Sequence, residues 1–269
     1  MTKQAPRAAR TRDEAQRHAL DVTVLICTRN RARQLANVLE SAANLRVPEG
    51  LRWELLIIDN GSSDNTAEVV GGFRDRLPIR LAREDTAGLS NARNRGVSEA
   101  KGAYICWTDD DVLLDPDWLQ AYAAAFARHP EAAIFGGEII PVLQGPTPDW
   151  FAALADRWPL TTLLAKRDHG DREIPLDFDK GIAPWGANFA VRTLEQRRVL
   201  YEPTLGVSPL QRRLGEEAEV IFRILRAGGV GWWVPGAKVR HIIPVQRQTL
   251  RYVYEYFLSC GETAAYMER

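Results

Sequence analysis

Four short, largely apolar runs in the first part of the chain restrict its fold more than any other feature. They are "DVTVLIC" (21–27), "WELLIID" at the start of 53–64, "IRLARED" (79–85) and "AYICW" (103–107). Such runs suit strands buried on both faces. Helical patterns separate them. Leu35, Val38, Leu39 and Ala42 recur at helical spacing before Pro48, and a second helix is expected after a cap at Ser62 or Ser63. "GLSNARNRGVSEAKG" (88–102) turns Leu89, Ala92, Val97 and Ala100 inward and is expected to end at Gly102. Strand alternating with helix means a parallel sheet made of right-handed crossovers. Ligands of such sheets collect at the carboxyl ends of the strands. The polar clusters stand there: "TRNR" after the first strand, "DNGSSD" after the second and "TDDD" after the fourth.

Further along, Asp115 and Pro116 read as the N-cap and first residue of a helix reaching about Arg128. Residues 141–184 are richer in Pro, Trp and scattered charge, and predict irregular loops with a short helix around "WFAALADRW". "LGEEAEVIFRILRAGG" is a helix with Leu214, Ala218, Ile221 and Leu225 on one face, and "VGWWVP" and "AKVRHII" are two strand-like runs. "TLRYVYEYFLSCGETAAYM" is a final amphipathic helix with Leu250, Val253, Tyr254, Phe257 and Leu258 on one stripe.

Composition removes whole classes of function. Lys plus Arg equals Asp plus Glu at 35 each, so bulk charge does not point to nucleic acid. No run approaches the roughly 18 apolar residues of a membrane span. Residues 1–20 lack the apolar core of a secretory signal and are expected to be a disordered basic arm. Cys27, Cys106 and Cys260 cannot all pair and show no metal-ligand spacing, which implies free thiols in a reducing cytosol. Arg240, Arg247 and Arg251 flank the final apolar stripe. That helix is expected to pack on the sheet or against a second subunit, with peripheral contact to the inner face of an anionic membrane as the alternative.

The acidic triplet carries the chemistry. In an extended segment Asp109 and Asp111 converge while Asp110 points away. Two converging carboxylates are a hard-oxygen site for Mg²⁺ or Mn²⁺ with positions left for phosphate oxygens, whereas a solvated acidic turn is the plain alternative. Asp59 can accept from a base or ribose, Arg93 can meet a diphosphate, and Thr28, Arg29 and Arg31 can donate from the first loop. No G-x-G-x-x-G follows the first strand and no G-x-x-x-x-G-K-[ST] occurs, so a glycine nest is not the phosphate device. Glu216 and Glu217 open a helix, where the dipole favours them, or one of them is a general base. His241 is either a satisfied core histidine or a third metal ligand, which would tilt preference towards Mn²⁺.

Taken in order, "VLICTRNR", "LLIIDNGSSDNT", "GLSNARNRGV", "YICWTDDDVLLDPDWL", "WGANFAVR" and "GEEAEVIFRILRAGG…VRH" resemble the family 2 glycosyltransferases of GT-A fold. The resemblance covers about residues 21–243. It implies a GT-A α/β unit there, with a mainly parallel nucleotide-binding half (21–112) continuous with an acceptor half (113–243); the amphipathic pattern beyond it gives a C-terminal helix over 244–269. It implies transfer of a sugar from a nucleotide diphosphate, UDP foremost with GDP and dTDP as alternatives, to a hydroxyl of a glycan, lipid-linked or small-molecule acceptor with inversion. It assigns Asp59 to the nucleoside, Arg93 to the donor, Asp109 and Asp110 to the nucleotide sugar, and Asp109, Asp111 and His241 to Mn²⁺ or Mg²⁺. Trp185, Gly186 and Asn188 fall on the acceptor side, Trp185 offering a flat face to a sugar ring. Where the family commonly has Glu-Asp this chain has Glu216-Glu217. Glu217 takes the base position with about 1.5 Å more reach, and Glu216 is the alternative. A retaining transferase or nucleotidyltransferase, or a decayed glycan-binding protein, are the rival readings.

Overall fold

A computed structural model describes residues 19–209 and 212–267, so the arm expected over 1–20 lies outside the described residues but for its last two positions. The first half alternates as its sequence requires: β1 (Leu20–Thr28), α1 (Ala32–Ala43), β2 (Trp53–Asp59), α2 (Thr66–Gly71), β3 (Ile79–Arg83), α3 (Leu89–Glu99) and β4 (Gly102–Asp109). A turn then leads into β5 (Val112–Leu114), α4 (Trp118–Arg128) and β6 (Ile134–Leu143). Two short helices, α5 (Asp149–Leu154) and α6 (Leu160–Leu163), precede β7 (Asn188–Arg192) and α7 (Thr193–Arg198). A small ribbon, β8 (Gly206–Val207) with β9 (Arg212–Arg213), leads to α8 (Glu216–Arg226) and β10 (Gly231–Ile243). A 3-10 turn (Val245–Arg247) and α9 (Leu250–Met267) complete the described chain.

One eight-stranded sheet runs in the order β3-β2-β1-β4-β7-β6-β10-β5. β1 pairs in parallel with β2 and β4, β2 with β3, and β6 with β10, while β7 and β5 run against their neighbours. The sheet is therefore mixed but mainly parallel. It is buried on both faces. Val22, Val24 and Ile26 of β1 pack with Leu35, Val38 and Leu39 of α1 and Trp118, Leu119 and Tyr122 of α4. Leu25, on the opposite face, packs with Ala92 and Val97 of α3 and Val220, Ile221 and Ile224 of α8. Among the described residues no helix is long and apolar enough to cross a membrane.

Several boundaries differ from expectation, each for a local reason. Helix α2 starts at Thr66 rather than at a serine cap, because Asp64 accepts from the Thr66 amide and hydroxyl while Ser62 and Ser63 bond to Asn30. Helix α4 starts at Trp118, one turn after Asp115, whose carboxylate accepts from the Asp117 amide in a cap-like bond. Gly102 does not end α3; it opens β4 where a Cβ would lie 2.3 Å from the Thr23 nitrogen. The inward face of α8 is centred on Val220, Ile221 and Ile224, with Leu225 packed beside them, whereas Ala218 of the expected row is exposed. "VGWWVP" and "AKVRHII" form the single strand β10, whose register shifts between Val234 and Lys238 around Pro235, a residue without a ladder donor. In α9 the expected stripe divides: Val253 and Phe257 pack on Phe151, Leu164 and Ile243, whereas Leu250, Tyr254 and Leu258 are exposed.

Gly102 gives the first prediction. Gly102→Ala forces Cβ into the β1 backbone, 2.5 Å from the Val22 carbonyl carbon, while a Cβ at Gly71 meets nothing within 4 Å. Overpacking of this kind costs about 1–3 kcal/mol or more, whereas Gly71→Ala is expected within about 1 kcal/mol of wild type. Urea denaturation of the two variants checks the contrast; equal midpoints would contradict it.

Candidate active site

The carboxyl ends of β1, β2 and β4 meet at one rim of the sheet. The loops after β1 and β2 are laced together: the Asn30 amide donates to Ser62 Oγ (2.9 Å), the Ser63 amide to Asn30 Oδ1 (2.8 Å) and the Ala32 amide to Asp64 Oδ2 (3.0 Å). Asp59 ends β2 buried, with Oδ1 accepting from the Ser62 amide at 2.8 Å, so it holds this turn. Its neighbour Asn60 lines the cavity and braces the third loop, donating to the carbonyls of Glu84 and Thr86 and accepting from the Gly88 amide. Arg29 donates to the Asn60 carbonyl at 2.8 Å.

The acidic triplet departs from simple alternation because β4 ends at Asp109 and the chain turns through residues 110 and 111. Asp110 does not point away. It is buried, accepts from Thr28 Oγ1 at 2.8 Å and takes a charged bond from Arg31. Asp111 accepts from the same Arg31 (3.2 Å) and from Arg247 (2.8 Å), and its Oδ1 lies 3.7 Å from His241 Nε2. Asp109 faces Arg93 at 3.7 Å. Three arginines thus neutralise the cluster. Burial pushes the Asp110 carboxyl up to about 6 despite Arg31. Burial also pushes Asp111 up, but His241, Arg247 and Arg31 outweigh it and hold that carboxyl below its usual range.

His241 Nδ1 is 2.9 Å from the Leu164 carbonyl. A carbonyl only accepts, so Nδ1 carries the proton and Nε2 is the nitrogen turned to Asp111 and Arg247. One carboxylate and one imidazole nitrogen at 3.7 Å suit a shared divalent cation. Among the described residues no three His, Cys, Asp or Glu side chains are gathered as a metal cluster. Asp109, the remaining expected ligand, faces Arg93 instead.

Arg93 is buried beneath the cavity, over the rings of Trp107 (5.7 Å) and Tyr201 (5.2 Å). It pairs with Glu216 at 3.2 Å and lies 3.9 Å from Glu217, yet its Nη1 has no well-directed hydrogen bond. Gly215, at φ +104°, delivers the two glutamates from a backbone conformation that favours glycine. Glu216 turns inward, and burial with the charge of Glu217 pushes its carboxyl up to about 8. Glu217 stays partly accessible in the cavity and rests on Gly186, where a Cβ would meet its Oε1 at 3.0 Å.

These groups line one cavity of about 900 Å³. Its second wall comes from residues 162–187 and from α9, through Thr162, Arg167, Trp185, Gly186, Tyr252 and Tyr256. Trp185 and Gly186 are therefore on the cavity surface. Asn188 is not. It is fully buried, accepting from Trp118 Nε1 and Tyr122 Oη and donating to the Glu138 and Ala237 carbonyls, so it ties the core beneath the site. Sequence reasoning missed Asn60, Arg167 and the pairing of Arg247 with Asp111. Only Pro244, ending β10 just before Arg247, marks that the chain turns back to the rim.

The profile described as glycosyl transferase family 2 matches residues 23–177. The succinoglycan biosynthesis protein ExoM of Rhizobium meliloti is 25% identical over 254 residues, covering 91% of this chain and 74% of that protein. Chondroitin synthase of Escherichia coli is 32% identical over 117 residues, covering 43% of this chain and 17% of that protein. Among solved structures, S. aureus TarS 1–349 superposes with a TM-score of 0.63 at 15% identity, covering 83% of this chain and 60% of that one. TarS 1–349 with UDP-GlcNAc gives 0.55 at 19% identity, covering 69% and 50%. The chain thus spans less than two thirds of TarS 1–349 and about a sixth of the synthase.

The buried Glu216 yields a pH prediction. Its folded value of about 8 stands above the ordinary 4.5, so the folded protein binds more protons between those limits. The stability it contributes is fully present below pH 4.5 and is lost as pH rises towards 8. Glu216→Gln is expected to flatten the fall in melting temperature between pH 5 and 8. Parallel slopes for variant and wild type would contradict this.

Proposed function

The chain belongs to glycosyl transferase family 2, and from that premise we propose that it moves a sugar from a nucleoside diphosphate, UDP foremost, to an acceptor hydroxyl with inversion. The observation that carries the reading is the meeting, in one cavity, of the Asp109–Asp111 rim with its arginines and of Glu217 against Gly186. The solved complex of the structurally similar TarS with UDP-GlcNAc supports a UDP-sugar donor. The name of ExoM and that of chondroitin synthase support an acceptor on a growing polysaccharide, soluble or lipid-linked.

In this reading Asp111 and His241, joined by Asp109, would hold Mn²⁺ or Mg²⁺, which when bound neutralises charge on the leaving diphosphate. Asn60 and the loop that Asp59 closes bound the nucleoside side, with Thr28 and Arg29 at the first loop. Arg31 and Arg93 supply positive charge at the rim. Trp185 and Gly186 border the acceptor. Glu217 Oε accepts the proton of the acceptor hydroxyl while that oxygen bonds to the anomeric carbon and the bond to the diphosphate breaks. Attack from the opposite face inverts the centre in one displacement, and no nucleophile of the chain is needed. Glu216, turned inward onto Arg93, is the less suitable base.

Calorimetry with UDP, GDP and dTDP, each with and without Mn²⁺, tests the donor site; tightest binding of UDP with Mn²⁺ is expected. Glu217→Gln is expected to lower kcat about 10²–10⁴-fold with UDP affinity unchanged. Failure of all three nucleotides to bind, or full turnover by Glu217→Gln, would overturn the proposal.

A further inference from the structure

Among the described residues five arginines line the cavity, and one of them differs from the rest. Arg31, Arg93 and Arg247 are paired with carboxylates, and Arg29 is exposed at the mouth. Arg167 is half-buried, and no described carboxylate lies within ion-pair distance of it. Burial alone pushes its guanidinium down to about 10, so it remains a cation at neutral pH.

This cation is built in. Its backbone makes a two-bond bridge to Ile139 of β6, with the Ile139 amide donating to the Arg167 carbonyl at 2.9 Å and the Arg167 amide to Ile139 O at 3.1 Å. Nε donates to the Ala183 carbonyl at 2.8 Å, and the guanidinium lies over the Trp185 ring, 4.9 Å from its centroid. Nε and the ring fix the plane, while Nη1 and Nη2 have no hydrogen bond to any described residue. A planar fork held in this way is the arrangement that takes an oxyanion through two parallel bonds. A second orphan donor accompanies it: Trp185 Nε1 is buried without a partner. Trp185 precedes Gly186, the residue on which Glu217 rests.

We propose that Arg167 and Trp185 form an anion subsite for the acceptor, so that the enzyme prefers an acceptor carrying a carboxylate or phosphate close to the hydroxyl it glycosylates. The inference rests on the glycosyltransferase reading for the meaning of acceptor, but the subsite itself is a property of this wall. The arginines of the rim are already paired with carboxylates, whereas Arg167 is not, so an acceptor anion is drawn to the Arg167 wall and its hydroxyl is left towards Glu217.

The test is titration of wild type, Arg167→Met and Arg167→Lys with methyl β-glucuronide, glucose 6-phosphate and neutral methyl β-glucoside, beside UDP with Mn²⁺ as a second arm. Wild type is expected to bind at least one anionic sugar tenfold or more tightly than the glucoside, and the preferred one identifies carboxylate or phosphate as the source. Arg167→Met is expected to erase the preference and Arg167→Lys to retain part of it, with UDP affinity within twofold throughout. Equal binding of all three sugars to wild type, no measurable binding of either anion, or a preference surviving in Arg167→Met would overturn the inference. So would a tenfold loss of UDP affinity in Arg167→Met, which would assign the cation to the donor. If UDP fails to bind while the anion preference stands, the donor reading falls and the subsite remains. Should Arg167→Met not fold by circular dichroism, wild type and Arg167→Lys give the same comparison.

Discussion

Everything at the rim depends on counter-charging three adjacent carboxylates, two of which, Asp110 and Asp111, are largely out of water. Arg31 spans Asp110 and Asp111, Arg247 completes Asp111, and Arg93 stands between Asp109 and Glu216. Removing Arg31 or Arg247 leaves the buried Asp110 and Asp111 carboxylates short of counter-charge, a loss that solvent at the partly exposed arginines moderates. These contacts therefore act on the fold and on the site together. They also tie distant segments: Arg31 follows β1, Arg93 lies in α3 and Arg247 follows β10. The rim is where the ends of the sheet are stitched.

The sheet was legible because its signals are local and repeated. The runs giving β1, β2 and β4 are apolar in every register, and the α1 residues Leu35, Val38, Leu39 and Ala42 are buried as their spacing requires. Of the strands in the main sheet, β5, β6 and β7 escaped notice, and they lack such signals. In β6 "IFGGEII" carries two glycines where strand propensity asks for branched residues. Both are needed by packing: a Cβ on Gly136 would meet Pro184 at 2.6 Å, and one on Gly137 the Ala237 carbonyl at 2.1 Å. Neither contact is visible along the chain, since each partner is 48 or more residues away.

The site was legible to the same extent and for the same reason. Asp109, Asp110, Asp111, Glu216 and Glu217 stand out as clustered charge, and the rim collects them. What the sequence does not reveal is the sharing of charge. An extended reading of "TDDDV" turns Asp110 away; the turn at 110–111 instead gives it to Thr28 and Arg31. Asn188 looks like a polar contact for a sugar because it sits in a Trp-Gly-Ala-Asn segment, yet four core hydrogen bonds consume it. A buried amide with all its capacity spent has nothing left for a ligand.

The two walls of the cavity follow different electrostatic logic. Along the rim, carboxylates and arginines alternate, so the local charge is nearly balanced until a ligand enters. Along the opposite wall, formed by residues 162–187 and α9, the one charge among the described lining residues is the cation of Arg167, amid Trp185, Tyr252, Tyr256 and backbone. Arg247 links the two, since it pairs with Asp111 and stands three residues before α9. Helix α9 is itself bound to the second wall through Tyr256 Oη, which donates to the Thr162 carbonyl at 3.1 Å. The position of the helix that borders the second wall is thus tied through one short turn to the charge of the Asp111 carboxylate at the rim.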